Sequence, residues 1–224
     1  MTLYEAILAR HSVRAYKNIP LSDDHLAALE RLILTYNSLS GLHIQLVANE
    51  PKAFSGRLAR YGKFKNVNNY IVMIGRKGKD LDELVGYWGE KLVIEAQTLG
   101  LNTCWVGLTY KKIRRAYKLD KHETVVAVIA IGYGETEGTP HKSREFNEVS
   151  GTIGAMPDWY AKGVEAALLA PTAVNQQKFC FELRPNDRVR ATAKKSPYSK
   201  VDLGIAKYHF EVGSHKDETI WIEE

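Results

Sequence analysis

Apolar residues recur at helical spacing at the start of the chain and again after Pro20. Thr2 and Glu5 form a capping box, which predicts a helix over residues 3–9 that buries Leu3, Ile7 and Leu8 and delivers the chain to Arg10. Ser22 reads as the N-cap of a second helix with Leu26, Leu29, Leu32 and Ile33 on one face. Residues 36–41 form a small polar break, and residues 42–47 alternate like a half-buried strand. The continuous apolar run 70–75 predicts a central strand. A long, mostly buried helix follows over 84–99, with Gly100 as its stop.

Residues 103–107 read as a short strand, 113–117 as a basic helix and 124–132 as the strongest strand of the chain. The stretch 138–150 is polar and irregular. Asp158 reads as the N-cap of a further helix that ends near Leu169, before Pro171. Residues 178–183 alternate as a strand, 201–212 form a helix and 219–222 a terminal strand. Helices and strands interleave through short connections, which gives an α+β or α/β layered fold with one main sheet.

Two local patterns repeat in the same order. The helix–turn–strand around Glu30 to Ala48 recurs around Glu165 to Leu183, offset by 135 residues. Gly89, before Trp105, matches Gly204, before Trp221, offset by 115. Helix–turn–strand units are common, but the shared order favours a duplicated chain whose second copy is shorter. The expected division is 1–150 for the first half and 151–224 for the reduced second half.

Composition narrows the classes. The chain has 224 residues, 45% hydrophobic and 25% charged, as an ordered globular protein does. Its net charge of +5 suits a phosphorylated small molecule and does not demand nucleic acid. Cys104 and Cys180 lie far apart in apolar runs, so neither a disulfide framework nor a closed zinc site is expected. No apolar run nears the ~18 residues that span a bilayer, and no signal peptide is evident, so the expected location is the cytoplasm.

Candidate chemistry lies in four places. Arg10, Ser12 and Arg14 alternate, so an extended segment puts two guanidinium forks and a hydroxyl on one face while Val13 and Ala15 pack behind. His141-Lys142-Ser143-Arg144 is a second basic cluster. Each, taken alone, reads more readily as a solvated basic loop. Gly107 ends a strand where backbone can approach a ligand. The turn Pro171-Thr172-Ala173-Val174-Asn175-Gln176-Gln177 offers a hydroxyl and several amides without net charge, which suits a polar heterocycle or ordinary turn chemistry. Cys104 reads as inert packing. The basic run Lys111-Lys112-Ile113-Arg114-Arg115 reads as a solvated face ahead of a nucleic-acid site, which salt-sensitive retention on DNA would reveal. Gly132-Tyr133-Gly134 lacks the third glycine and the helix of a dinucleotide fingerprint.

The order RHSVRAY, GLNTCWVG, IGYG and HKSR over residues 1–150 resembles the nitroreductase family of FMN-dependent NAD(P)H oxidoreductases. ALLAPTAVNQQKF is similar to a further family turn that typical members carry earlier; there this chain has only a degenerate version, at residues 36–43. Typical members are intertwined homodimers with FMN at the interface. The resemblance to their internally duplicated subgroup implies that one chain supplies both halves, as a monomeric pseudo-dimer or a homodimer.

The resemblance implies an α+β nitroreductase-like layered fold, with a mixed, mainly antiparallel sheet flanked by helices. It further implies that Arg10, Ser12, Lys142 and Arg144 hold the FMN phosphate, and that His11 and Arg14 lie near the ribityl chain and pyrimidine edge. Gly107 and Leu108 present backbone to the isoalloxazine, and Thr172, Asn175 and Gln177 close the site. The implied reaction moves hydride from NAD(P)H through flavin to a small acceptor such as a nitroaromatic or quinone. It needs no protein acid, base, nucleophile or metal, because the cofactor carries the chemistry. The competing reading is a flavin-binding storage or sensor protein without turnover.

Overall fold

The computed structural model describes residues 1–222. In chain order the elements are α1 (Leu3–Ala9), α2 (Asp23–Ser40), β1 (Gln45–Val47), α3 (Arg57–Tyr61), β2 (Asn69–Arg76), α4 (Leu81–Thr98), β3 (Asn102–Val106), β4 (Glu123–Gly132), α5 (Phe146–Val149), α6 (Asp158–Ala167), β5 (Phe179–Arg184), β6 (Arg188–Ala193) and α7 (Ser199–Ser214). The fold is α+β, with every strand ladder antiparallel. The chain forms two compact units. One holds Ala9–Leu81 and Lys91–Pro140; the other holds Met1–Leu8, Asp82–Glu90 and the residues from His141 on.

The first unit is built on a four-stranded sheet ordered β1-β2-β4-β3. Residues Tyr70 to Ile74 of β2 are all buried, as a central strand covered on both faces requires. One face gathers Phe54, Phe64, Tyr70, Val72, Tyr110, Val128 and Ala130 into an aromatic-rich core. Ser22 caps α2 as its sequence predicts, accepting the His25 N–H. The helix does not break at Tyr36, however, and runs on to Ser40, where Gly41 ends it at φ 70°. The polar residues there serve the fold: the Asn37 amide both donates to Ile44 O and accepts from Ile44 N. That clamp also shortens the predicted strand 42–47 to β1.

The second unit joins α6, α7, the first half of α4 and the hairpin β5–β6. Phe210 lies at the centre of its core, with ring centroids of Phe181 at 4.9 Å, Trp221 at 5.3 Å and Tyr160 at 5.7 Å. α4 and α7 cross backbone to backbone. A Cβ on Gly86 would sit 2.0 Å from Val201 O, and one on Gly204 would sit 2.1 Å from Glu83 O, so glycine is required on both helices. Beside this crossing His209 and Glu90 are fully buried and bonded at 2.9 Å. Gly86 and Gly204 thus face one another at the crossing.

Several expectations need correction. Leu3 and Leu8 are exposed; α1 buries Ile7, as expected, together with Ala6. Residues 113–117 hold one 3-10 turn, Arg114–Ala116, not a helix. Asp158 is the first residue of α6, and Pro157 its N-cap. Residues 219–222 are not a strand: a 3-10 turn, Glu218–Ile220, leads to Trp221, which makes a single bridge to Val189. β6 has no counterpart in the expected elements. Asn186 and Asp187, at φ 61° and 54°, make the tight turn that folds it back on β5. No helix of the described residues is long and apolar enough to cross a membrane.

Candidate functional site

The first group of predicted residues lies in the sheet unit. Beyond α1 the chain is extended and runs parallel to the edge strand β3, with Val13 N donating to Thr103 O at 3.0 Å and Ser12 bridging Thr103. The far end is fixed by reciprocal bonds, Lys65 N to Arg14 O at 2.9 Å and Tyr16 N to Lys65 O at 3.1 Å. Val13 and Tyr16 are buried beneath the row, and the Tyr16 hydroxyl donates to Val13 O at 2.7 Å. The backbone is therefore held independently of any ligand.

Along this row Arg10 is buried, His11 and Ser12 are half-buried and Arg14 is exposed. The Arg14 guanidinium lies 5.9 Å from the Phe64 ring centroid, a cation–π contact that orients it. Burial, with the Arg10 charge beside it, lowers the His11 pKa and favours the neutral ring. Burial pushes the Cys104 thiol up, as an inert packing cysteine requires, although Arg14 and Arg10 oppose the shift. Gly138, at φ 77°, brings its loop over the row: a Cβ there would lie 2.8 Å from His11 Cβ. Gly107 and Leu108 follow directly on β3, half-buried and exposed respectively.

The second group lies in the other unit and forms one bonded cluster. His141 Nε2 and Ser143 Oγ bond the carbonyl of Leu168, at 3.0 and 2.9 Å. The alternate residues Lys142 and Arg144 are exposed, as the two-residue period of extended backbone dictates. Arg144 also pairs with Glu148 at 3.2 Å, one turn along α5. The polar turn meets this loop from the other side. Asn175 Nδ2 donates to Lys142 O at 2.9 Å, and Gln177 both donates to Lys142 O and accepts from Arg144 N, each at 2.9 Å. Thr172 Oγ1 accepts from Gln177 N at 3.1 Å. Asn175, Gln177 and Thr172 are thus joined to the basic loop, with Asn175 exposed and Gln177 buried.

Two features of this cluster escape sequence reading. Val174 stands at φ 47°, ψ 28°, a strained conformation for a β-branched residue, and is almost fully exposed. Asp202 of α7 anchors the turn, accepting Ala173 N at 2.9 Å and Gln176 Nε2 at 2.6 Å. Burial pushes the Asp202 carboxyl up to about 6 despite these two bonds. Nothing local in the sequence ties Asp202 to a turn 26 to 29 residues earlier.

The donor chemistry of both groups fits a phosphorylated ligand: fixed backbone, several cations, and no acidic residue among the predicted contacts. Such donors lie on an extended edge segment in one unit and on a braced loop in the other. A family model described as "Putative TM nitroreductase" matches residues 2–214, and the chain belongs to that family. It is by family an oxidoreductase of the nitroreductase type.

Solved structures agree on the fold. A Thermotoga maritima protein described as "a putative nitroreductase (tm1586)" is 24% identical with a TM-score of 0.68, over 95% of this chain and 83% of that one. NfrA2 from B. megaterium is 16% identical at 0.54, over 75% and 82%. A Parabacteroides distasonis "Putative NADH dehydrogenase/NAD(P)H nitroreductase" is 21% identical at 0.52, over 66% and 95%. No curated protein matches the chain.

Proposed function

We propose that the chain binds FMN and transfers hydride from NAD(P)H to a small acceptor, such as a nitroaromatic or a quinone. The observation that carries this reading is the Arg10–Arg14 segment, held in extended form along β3 with Ser12 and two guanidinium groups in its length. Bound FMN would supply reversible two-electron chemistry at its ring, which a constellation without protein acid or base can use. Arg10 with Ser12 in the one unit, and Lys142 with Arg144 in the other, would each offer donors to a phosphate. Arg14, held over Phe64, would face the pyrimidine edge and stabilise the negative charge that reduction places there. Gly107 and Leu108 would leave room for the ring beside β3.

The same reading includes an internal duplication, supported by the α4–α7 crossing. Gly86 approaches Val201 and Ile205, while Gly204 approaches Glu83 and Tyr87. Each of 201, 204 and 205 exceeds its counterpart 83, 86 or 87 by 118. Such reciprocity is what a two-fold interface between two copies produces.

FMN titration followed by flavin fluorescence tests the assignment. Arg14→Ala should weaken FMN binding by about 10-fold or more, the worth of a lost charge-assisted hydrogen bond. Wild-type protein that binds no FMN, or an Arg14→Ala variant that binds it unchanged, contradicts the proposal.

A further inference from the structure

Gln177 was expected to touch the flavin. Its carboxamide has little left to offer one. Oε1 accepts from Arg144 N at 2.9 Å, while Nε2 donates to Lys142 O at 2.9 Å and to Asn175 Oδ1 at 2.8 Å. An amide has two donor hydrogens, and both are directed at these acceptors. The side chain is also buried, at 3% exposure. To reach this position Gln177 adopts φ 43°, and its neighbours Val174 and Asn175 adopt φ 47° and 56°. Three left-handed residues within one four-residue turn cost conformational energy that the bonds to the loop offset.

We propose that Gln177 is a positioning residue: its buried amide braces the backbone of the loop His141–Arg144 so that Lys142 and Arg144 present their two cations to a phosphate monoester from a fixed main chain. The loop is gripped on both sides. His141 and Ser143 hold it to the Leu168 carbonyl at the end of α6, and Gln177 with Asn175 holds the peptide groups of Lys142 and Arg144. A cation whose backbone is fixed loses less conformational freedom on meeting an anion, so preorganisation is converted into affinity. The inference rests on the FMN reading for the identity of the ligand, but the brace itself does not.

The test uses the full chain with Gln177→Leu and, because that buried substitution can impair folding, Asn175→Gly. Glycine keeps the positive φ of residue 175 while removing its amide. The first readout is native trypsin cleavage after Lys142 and Arg144, relative to cleavage after the exposed Lys111 and Lys112. The brace predicts selective acceleration at the two loop bonds in both variants. Equal acceleration everywhere would mean only global loosening and would overturn it, as would no change.

The second readout is the preference for FMN over riboflavin, which differ by the phosphate. Gln177→Leu should lower that preference by ~10-fold while riboflavin binding stays near wild type. Equal weakening for both flavins would place Gln177 against the ring and overturn the proposal. If wild-type protein binds neither flavin, the FMN reading fails by itself. The phosphate claim then stands or falls on whether millimolar inorganic phosphate shields the two loop bonds from trypsin in wild type but not in Gln177→Leu.

Discussion

Asp202→Asn should change the pH dependence of stability in a direction and size that the structure fixes. The Asp202 carboxyl is 3% exposed and anchors the polar turn through Ala173 N and Gln176 Nε2. Burial outweighs those bonds and raises its pKa from 3.8 to about 6. A raised carboxyl favours the folded state fully below its unfolded value, and that contribution is lost as pH climbs through the folded value. The rise corresponds to about 3 kcal/mol at roughly 1.4 kcal/mol per pH unit.

Wild type and Asp202→Asn should therefore be unfolded in urea at several pH values between about 4 and 7. All other titrating groups are shared, so the difference between the two proteins isolates Asp202. Wild type should lose about 2 kcal/mol of that total relative to the variant over this range, most of it before pH reaches about 6. A difference that stays flat, or that moves in wild type's favour as pH rises, would refute the reasoning.

Other expectations follow from single contacts. His209 points Nδ1 at Ala166 O and Nε2 at Glu90; Glu90→Ala should cost ~3–5 kcal/mol by leaving a buried partner behind, whereas Glu90→Gln, which can still bond the ring, should cost less than half as much in the same melts. Gly204→Ala would force a Cβ to 2.1 Å from Glu83 O, so its gain in helix propensity of ~1 kcal/mol should be overwhelmed and the melting temperature should fall; a rise would contradict the close crossing. Val174→Gly should stabilise the protein by roughly 1 kcal/mol in denaturant titrations, since it relieves φ 47° and gives up almost no buried surface.

The sequence was most legible where the cause is local. The Ser22 cap, the apolar run that becomes β2 and the glycine after α4 each act within a few residues, and each element appears where expected. The Asn186-Asp187 turn was equally local, and the alternation of β6 beyond it could have been read as a hairpin. Tertiary contacts hid the rest. The end of α2 looks like a polar break until Asn37 is seen to clamp Ile44. Residues 219–222 look like a strand because Ile220 and Trp221 are apolar, but a 3-10 turn is what buries them.

The candidate residues divide in the same way. The alternation of Arg10, Ser12 and Arg14 pointed to an extended segment, and the backbone does run along β3, though Arg10 is buried and Arg14 exposed. That Gln177 and Asn175 would spend their amides on a loop 33 to 35 residues away had no local signal, and neither did the anchoring of the turn by Asp202. Both depend on how α6 and α7 bring distant segments of one unit together.

The most direct test of the central claim is the visible absorption spectrum of protein incubated with FMN and freed of excess, recorded anaerobically before and after NADH and then NADPH. The account expects flavin bands that stay with the protein and bleach with at least one donor. Protein that retains no flavin, or retained flavin that neither donor bleaches, would contradict it.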